Sequence, residues 1–140
     1  MTTTTLQFSP YIFFYGRCEE ALDFYKSAIG GTYEMQRFEG SPMAEGMPAG
    51  DGNKVMHSTF KGPGFTFMAS DGPDTKKIDP ETGNITLCLT APDAAEGERV
   101  FNALSNGGKV KVAFSDAPWG AGKFGVFDDR FGIEWMVTAD

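Results

Sequence analysis

Residues 18–31, CEEALDFYKSAIGG, and residues 93–108, DAAEGERVFNALSNGG, carry the same grammar. In the first, Cys18, Ala21, Leu22, Tyr25 and Ile29 recur at helical spacing, and Glu19 and Glu20 sit in the first turn, where the helix dipole favours negative charge. In the second, Val100, Phe101 and Leu104 form the stripe, and Asp93 and Glu96 are spaced as a capping box. Each predicted helix places a Phe six residues before a Gly-Gly pair, Phe24 before Gly30-Gly31 and Phe101 before Gly107-Gly108. Glycine ends a helix readily because it tolerates the left-handed backbone of the cap.

Around both helices the strand signals fall in one order. Before the first helix lies Phe8–Phe14, and after it Thr32–Phe38, Lys54–Phe60 and Phe65–Ser70, the last two joined by the turn KGPG (61–64). Before the second lies Asn84–Thr90, and after it Val110–Phe114, Lys123–Phe127 and Gly132–Thr138, with DDRFG (128–132) between the last two. Both halves therefore read β-α-β-β-β, the mark of a duplicated unit that cannot bury its apolar face alone. The expected class is α+β. The expected organisation is one domain over 1–140, with a first module at about 7–71, a polar linker at 72–83 and a second module at about 84–138. A glycine- and proline-rich loop of 15 residues, EGSPMAEGMPAGDGN (39–53), interrupts the first module. Loops of that length are often functional.

At 140 residues the chain is large enough for a core without disulfide or metal staples. Aromatic residues make up 14%, with 13 Phe among them, enough to fill a core and to line a pocket for a flat ligand. The net charge of −7 and a pI of 4.6 argue against a nucleic-acid partner, whose phosphates need a basic surface. No stretch could span a bilayer, and residues 1–8, MTTTTLQF, lack the basic and apolar regions of a signal peptide. Cys18 and Cys88 both fall in apolar-patterned segments and read as buried, reduced thiols. The expected location is the cytoplasm.

Side chains alternate along a strand, so faces can be assigned. Ile133, Trp135 and Val137 oppose Glu134, Met136 and Thr138; Ile85, Leu87 and Leu89 oppose Asn84, Thr86, Cys88 and Thr90. The wholly apolar sets should pack on the helices, and the mixed sets should form an open face suited to a small molecule. No glycine-rich nucleotide motif opens a helix after a strand, so neither a Rossmann site nor a methyl-donor site is visible.

The segments PYIFFYGRCEEALDFYKSAIGG (10–31), KVMHSTF (54–60), FMASD (67–71), GGKV (107–110) and APWGAGKFGVFDDRFGIEWMV (117–137) together resemble the vicinal-oxygen-chelate superfamily. That group includes glyoxalase I, extradiol dioxygenases and bleomycin-resistance proteins, and the match is strongest to its PhnB-like branch. The resemblance implies two βαβββ modules forming a cupped, U-shaped mixed sheet, the glyoxalase/bleomycin-resistance fold, usually completed as a homodimer. It also implies metal-ligand positions on the first and last strand of each module, near Pro10 and Phe67 and at Asn84 and Met136. Proline and phenylalanine cannot ligate through their side chains, and an amide with a thioether suits neither zinc nor iron of this type. No metal site is therefore assigned and no cofactor is expected, a divalent metal being possible but disfavoured.

His57 is the sole histidine, which rules out a two-histidine iron triad within one chain. It and Glu134 are the candidate catalytic groups: His57 as a pocket acid, base or donor, and Glu134 as a base with a carboxyl raised by burial, unless a basic residue such as Arg37 pairs it. Ligand contacts are expected from Trp119, a loop ring that closes as a lid or plugs the barrel end, and from Met136, Asn84 and Phe67. Arg37 would grip an anionic group. Phe13, Phe67 and Met68 also suit a core. The expected function is metal-independent small-molecule binding. A glyoxalase-like lyase or isomerase using Glu134 and His57 as non-standard metal ligands is the alternative, which leaves enzyme activity open.

Overall fold

In the computed structural model the chain is described over residues 6–46, 50–72 and 84–139. It divides into two units, each with one helix and a four-stranded mixed sheet. The linker expected at 72–83 lies outside the described residues beyond Gly72, as do residues 47–49 of the long loop. The described parts of that loop hold two short 3-10 turns, Pro42–Ala44 and Asp51–Asn53.

The first unit contains β1 (Tyr11–Phe13), α1 (Cys18–Ile29), β2 (Thr32–Arg37), β3 (Val55–Gly62) and β4 (Phe65–Ser70). Its sheet runs β1-β4-β3-β2, with β1 parallel to β4 and the other pairs antiparallel. Helix α1 matches its expected span, and Gly30 ends it at φ 79° with its N–H on the Lys26 carbonyl at 3.0 Å. Strand β1 is shorter than the apolar run suggests. Tyr25 of α1 holds the helix on the sheet: its ring meets Phe60 edge-on at 6.4 Å and Phe67 at 5.8 Å, while Phe60 and Phe67 stack at 5.0 Å.

The start of α1 has no side-chain cap of its own. Its first N–H, that of Cys18, is taken by the Asp71 carboxylate at 2.8 Å, and the same carboxylate accepts the Val55 N–H at 2.6 Å. Asp71 follows β4 and is buried. One charged side chain thus ties helix entry, the start of β3 and the end of β4, using an anion where the dipole favours it.

The second unit contains β5 (Leu87–Ala91), α2 (Ala94–Ser105), β6 (Lys109–Asp116), β7 (Lys123–Asp128) and β8 (Glu134–Ala139). Its order, β5-β8-β7-β6, repeats the first sheet strand for strand, again with only the first pair parallel. Asp93 caps α2 by accepting the Glu96 N–H at 2.8 Å. The Glu96 side chain does not complete the expected reciprocal box but grips Arg99. Val100, Phe101 and Leu104 bury against Phe127, Trp135 and Val137, with Phe101 edge-on to Phe127 at 5.1 Å. Asp129 fixes the β7–β8 turn by accepting the N–H groups of Phe131 and Ile133 and the Trp135 indole N–H, all at 2.9–3.0 Å.

The predicted alternation on β8 holds throughout: Trp135, Val137 and Ala139 are buried, whereas Glu134, Met136 and Thr138 are not. The first strand of this unit starts later than expected, at Leu87 rather than Asn84. Ile85 consequently lies outside the core, 78% exposed. Cys88 is exposed and only Cys18 is buried, correcting the expectation of two buried thiols. Cys88 alternates with Leu87 and Leu89, so it faces away from α2. Both thiols are free. No helix among the described residues is long and apolar enough to cross a membrane.

Candidate functional site

In each unit one residue row crosses the helix-free face of all four strands. In the first it runs Tyr11–Met68–Thr59–Glu34, and in the second Cys88–Met136–Val126–Val112. The duplication is therefore a matched register as well as a matched element order.

On the first unit the face is aromatic. Tyr11 and Phe13 alternate with Ile12 and Phe14 along β1, which turns both rings away from α1 and leaves them 40% and 46% exposed. Their centroids are 5.3 Å apart, and Tyr15 continues the run at 6.2 Å from Phe13. His57, on β3 opposite Gln36, joins this cluster at 5.7 Å from the Tyr11 ring. The Tyr11 hydroxyl and His57 Nδ1 share a hydrogen bond of 3.2 Å. Two exposed rings, the half-buried Tyr15 and an imidazole on one side of a sheet offer apolar surface with a polar tip.

Gly72 fits this cluster closely. Its φ is +63°, and a Cβ there would come within 2.8 Å of the Phe13 ring. Phe13 was expected in the core, as were Phe67 and Met68. Of the three only Phe67 is, buried beneath Tyr25, so its expected ligand contact is not on the open side. Met68, one residue along, is on the open face beside Tyr11. Pro10 precedes β1 and uses its carbonyl to accept the Met68 N–H at 2.9 Å.

Arg37 is committed elsewhere. Its guanidinium donates to the Asn53 carbonyl at 2.6 Å and to both Glu19 carboxylate oxygens at 3.0 and 3.1 Å, tying β2 to α1 and the long loop. An anion grip is replaced by a structural clamp. Cys18 is likewise structural: burial pushes its thiol up to about 12, and its sulfur sits 3.8 Å from the Ser58 hydroxyl.

On the second unit the face carries an ion-pair network. Glu134 receives the Lys111 ammonium at 2.6 Å and the Thr86 hydroxyl on its other oxygen. Lys111 also lies 3.2 Å from Asp128 Oδ1, a buried oxygen that it meets as a charge contact without an aligned hydrogen bond. Lys111, then Thr86, hold the Glu134 carboxyl below its ordinary value, opposite to the rise expected of a general base. Its partner is Lys111 rather than Arg37. Lys109 pairs with Asp128 in the Glu134 row, so alternation carries Lys111 to the same face, and the register shift after Val110 brings Val112 there too.

Met136 is on the open face as expected, paired with Cys88, and the Thr90 and Thr138 hydroxyls lie 2.9 Å apart beyond it. Asn84 is exposed and precedes β5, so it does not share the strand row. Trp119, in the β6–β7 loop, is 61% exposed with its ring 4.9 Å from Phe124. It lies against Phe124 on the second unit's surface.

The first- and last-strand positions on the open faces are thus Tyr11 with Met68 and Cys88 with Met136. A phenol, two thioethers and a thiol do not supply the imidazole and carboxylate donors of a catalytic zinc or iron centre, so the residues do not fit the metal the fold family implies. Among the described residues no group of three His, Cys, Asp or Glu side chains is placed to hold a metal ion.

Comparison with known proteins agrees with this architecture. The family model for 3-demethylubiquinone-9 3-methyltransferase matches residues 6–138. Protein YjdN of Escherichia coli K12 is 30% identical over 139 residues, covering 93% of this chain and 92% of its own. The crystal structure of protein PA1353 from Pseudomonas aeruginosa is 38% identical with a TM-score of 0.82, covering 97% and 98% of the two chains. A member of the glyoxalase/bleomycin resistance protein/dioxygenase superfamily from Sphaerobacter thermophilus shares the fold at 19% identity and a TM-score of 0.59, over 96% and 98% of the chains. With the family model spanning nearly every described residue, the chain belongs to the PhnB-like 3-demethylubiquinone-9 3-methyltransferase family and has the glyoxalase/bleomycin-resistance fold.

Proposed function

We propose that this protein binds a small planar ligand without a metal, and that the ligand lies against the helix-free face of the first sheet. The observation that carries this reading is the contiguous aromatic set Tyr11, Phe13 and Tyr15, with Tyr11 and Phe13 exposed, Phe13 stacked on Tyr15 and His57 at the edge. Rings left in water along one sheet face gain apolar contact when a flat molecule covers them. The donor chemistry of Tyr11, Met68, Cys88 and Met136 supports metal independence. Binding is favoured over turnover because Glu134 is locked to Lys111 and His57 Nδ1 is engaged by Tyr11.

Within the same reading the protein is cytoplasmic, consistent with its two free thiols, and acts as a homodimer. Leu6 and Phe8 of the first unit are exposed apolar side chains that a second copy would cover. Affinity for indole, titrated by NMR, tests the binding reading. Phe13→Ala should weaken it about tenfold, the loss expected when a stacking ring is removed. Unchanged affinity in a folded variant would remove the aromatic face from the site.

A further inference from the structure

Resting on that reading, we propose that Tyr11 fixes His57 as its Nε2–H tautomer, and that the site thereby selects planar ligands carrying a carbonyl oxygen. The Tyr11 hydroxyl and His57 Nδ1 lie 3.2 Å apart. A neutral imidazole has one donor nitrogen and one acceptor nitrogen, and the bond made by one decides the state of the other. A phenol delocalises its oxygen lone pair into the ring, so it donates better than it accepts. The unprotonated imidazole nitrogen is a strong acceptor. The hydroxyl therefore donates to Nδ1, and the proton resides on Nε2.

Nε2–H, across the imidazole from the Tyr11 bond, is then a donor beside the exposed rings of Tyr11 and Phe13. The acceptor that would pair with this N–H is a carbonyl attached to the ligand's aromatic ring, whose lone pairs lie in the ring plane. Charge separates carbonyl from carboxylate. Glu34 occupies the same face, in the row through Thr59, Met68 and Tyr11, and the chain carries −7 overall. A neutral acceptor is favoured on such a face over an anionic one. The ligand class is an aryl ketone or aryl amide.

Two measurements test this. Because His57 is the sole histidine, a long-range ¹H–¹⁵N spectrum reports one imidazole without assignment ambiguity. At a pH where the ring is neutral it should show the Nε2–H pattern, and Tyr11→Phe should shift it towards the tautomer mixture of free imidazole. A wild-type Nδ1–H pattern overturns the proposal. Acetophenone should bind roughly three- to tenfold more tightly than ethylbenzene, its near-isostere without the carbonyl, the worth of one net hydrogen bond. In His57→Leu that ratio should fall towards one. Equal binding of the two compounds to the wild type refutes the carbonyl selection and leaves aromatic binding intact. Binding of neither refutes the proposed function as well.

Discussion

Replacing Asp71 with alanine tests the architecture beneath the aromatic face. Two backbone N–H groups, of Cys18 and Val55, donate to its carboxylate at 2.8 and 2.6 Å, and both belong to residues that are essentially inaccessible to solvent. In Asp71→Ala neither finds another acceptor. A hydrogen bond to a charged group contributes about 1.5–3 kcal/mol, and an orphaned buried donor loses a comparable amount. Two such losses, relieved in part by backbone movement and water entry, give a destabilisation of about 4 kcal/mol. Asp93→Ala is the internal control, since it removes one exposed N-cap bond from α2 and should cost about 1 kcal/mol. Urea denaturation followed by circular dichroism measures both. The midpoint should fall far more for Asp71→Ala than for Asp93→Ala at a similar slope. A loss below 1 kcal/mol for Asp71→Ala would refute the idea that one buried carboxylate anchors helix entry, β3 and β4 together.

Gly72→Ala should cost only about 1 kcal/mol for its left-handed backbone, yet reduce indole affinity by pushing the Phe13 ring aside; NMR titration with a melting curve checks both halves. A disulfide reagent at neutral pH should label one thiol of the native protein, Cys88, while Cys18, its thiol raised to about 12 by burial, reacts only on unfolding. Two fast thiols would contradict the placement of Cys18. Glu134 has a folded-state pKa below its unfolded value, so its contribution to stability is present above the unfolded pKa and is lost as pH falls through the lowered one. Lys111→Met should move the Glu134 carboxyl carbon's NMR titration to higher pH, and an unmoved midpoint would contradict the ion pair.

The repeat made the architecture legible. Two Phe-x5-Gly-Gly helix ends within one β-α-β-β-β order anticipate two sheets of identical strand order, and α1 and β4 fall on their expected spans. Alternation also separates the faces of β8 correctly, because that strand pairs regularly on both sides. The site was less legible. Tyr11 and Phe13 alternate with Ile12 and Phe14 in PYIFFYG, which was signal enough to place them on the open face, but a continuous run of aromatic residues reads first as core. Phe67 and Met68 exchange faces for the same reason, since one residue of register inverts a strand. Lys111 meets Glu134 across 23 residues of chain, and Asp71 acts across 53. Such long-range pairings leave no local pattern.

The proposed ligand surface is the helix-free face of the first sheet. NMR spectra of the protein with labelled aromatic, histidine and methionine side chains, titrated with indole, test it most directly. Tyr11, Phe13, His57 and Met68 should shift together along one saturating curve, with Trp119 and Phe124 unmoved. Saturable shifts confined to Trp119, Phe124 and Met136, with the Tyr11 cluster silent, would contradict it.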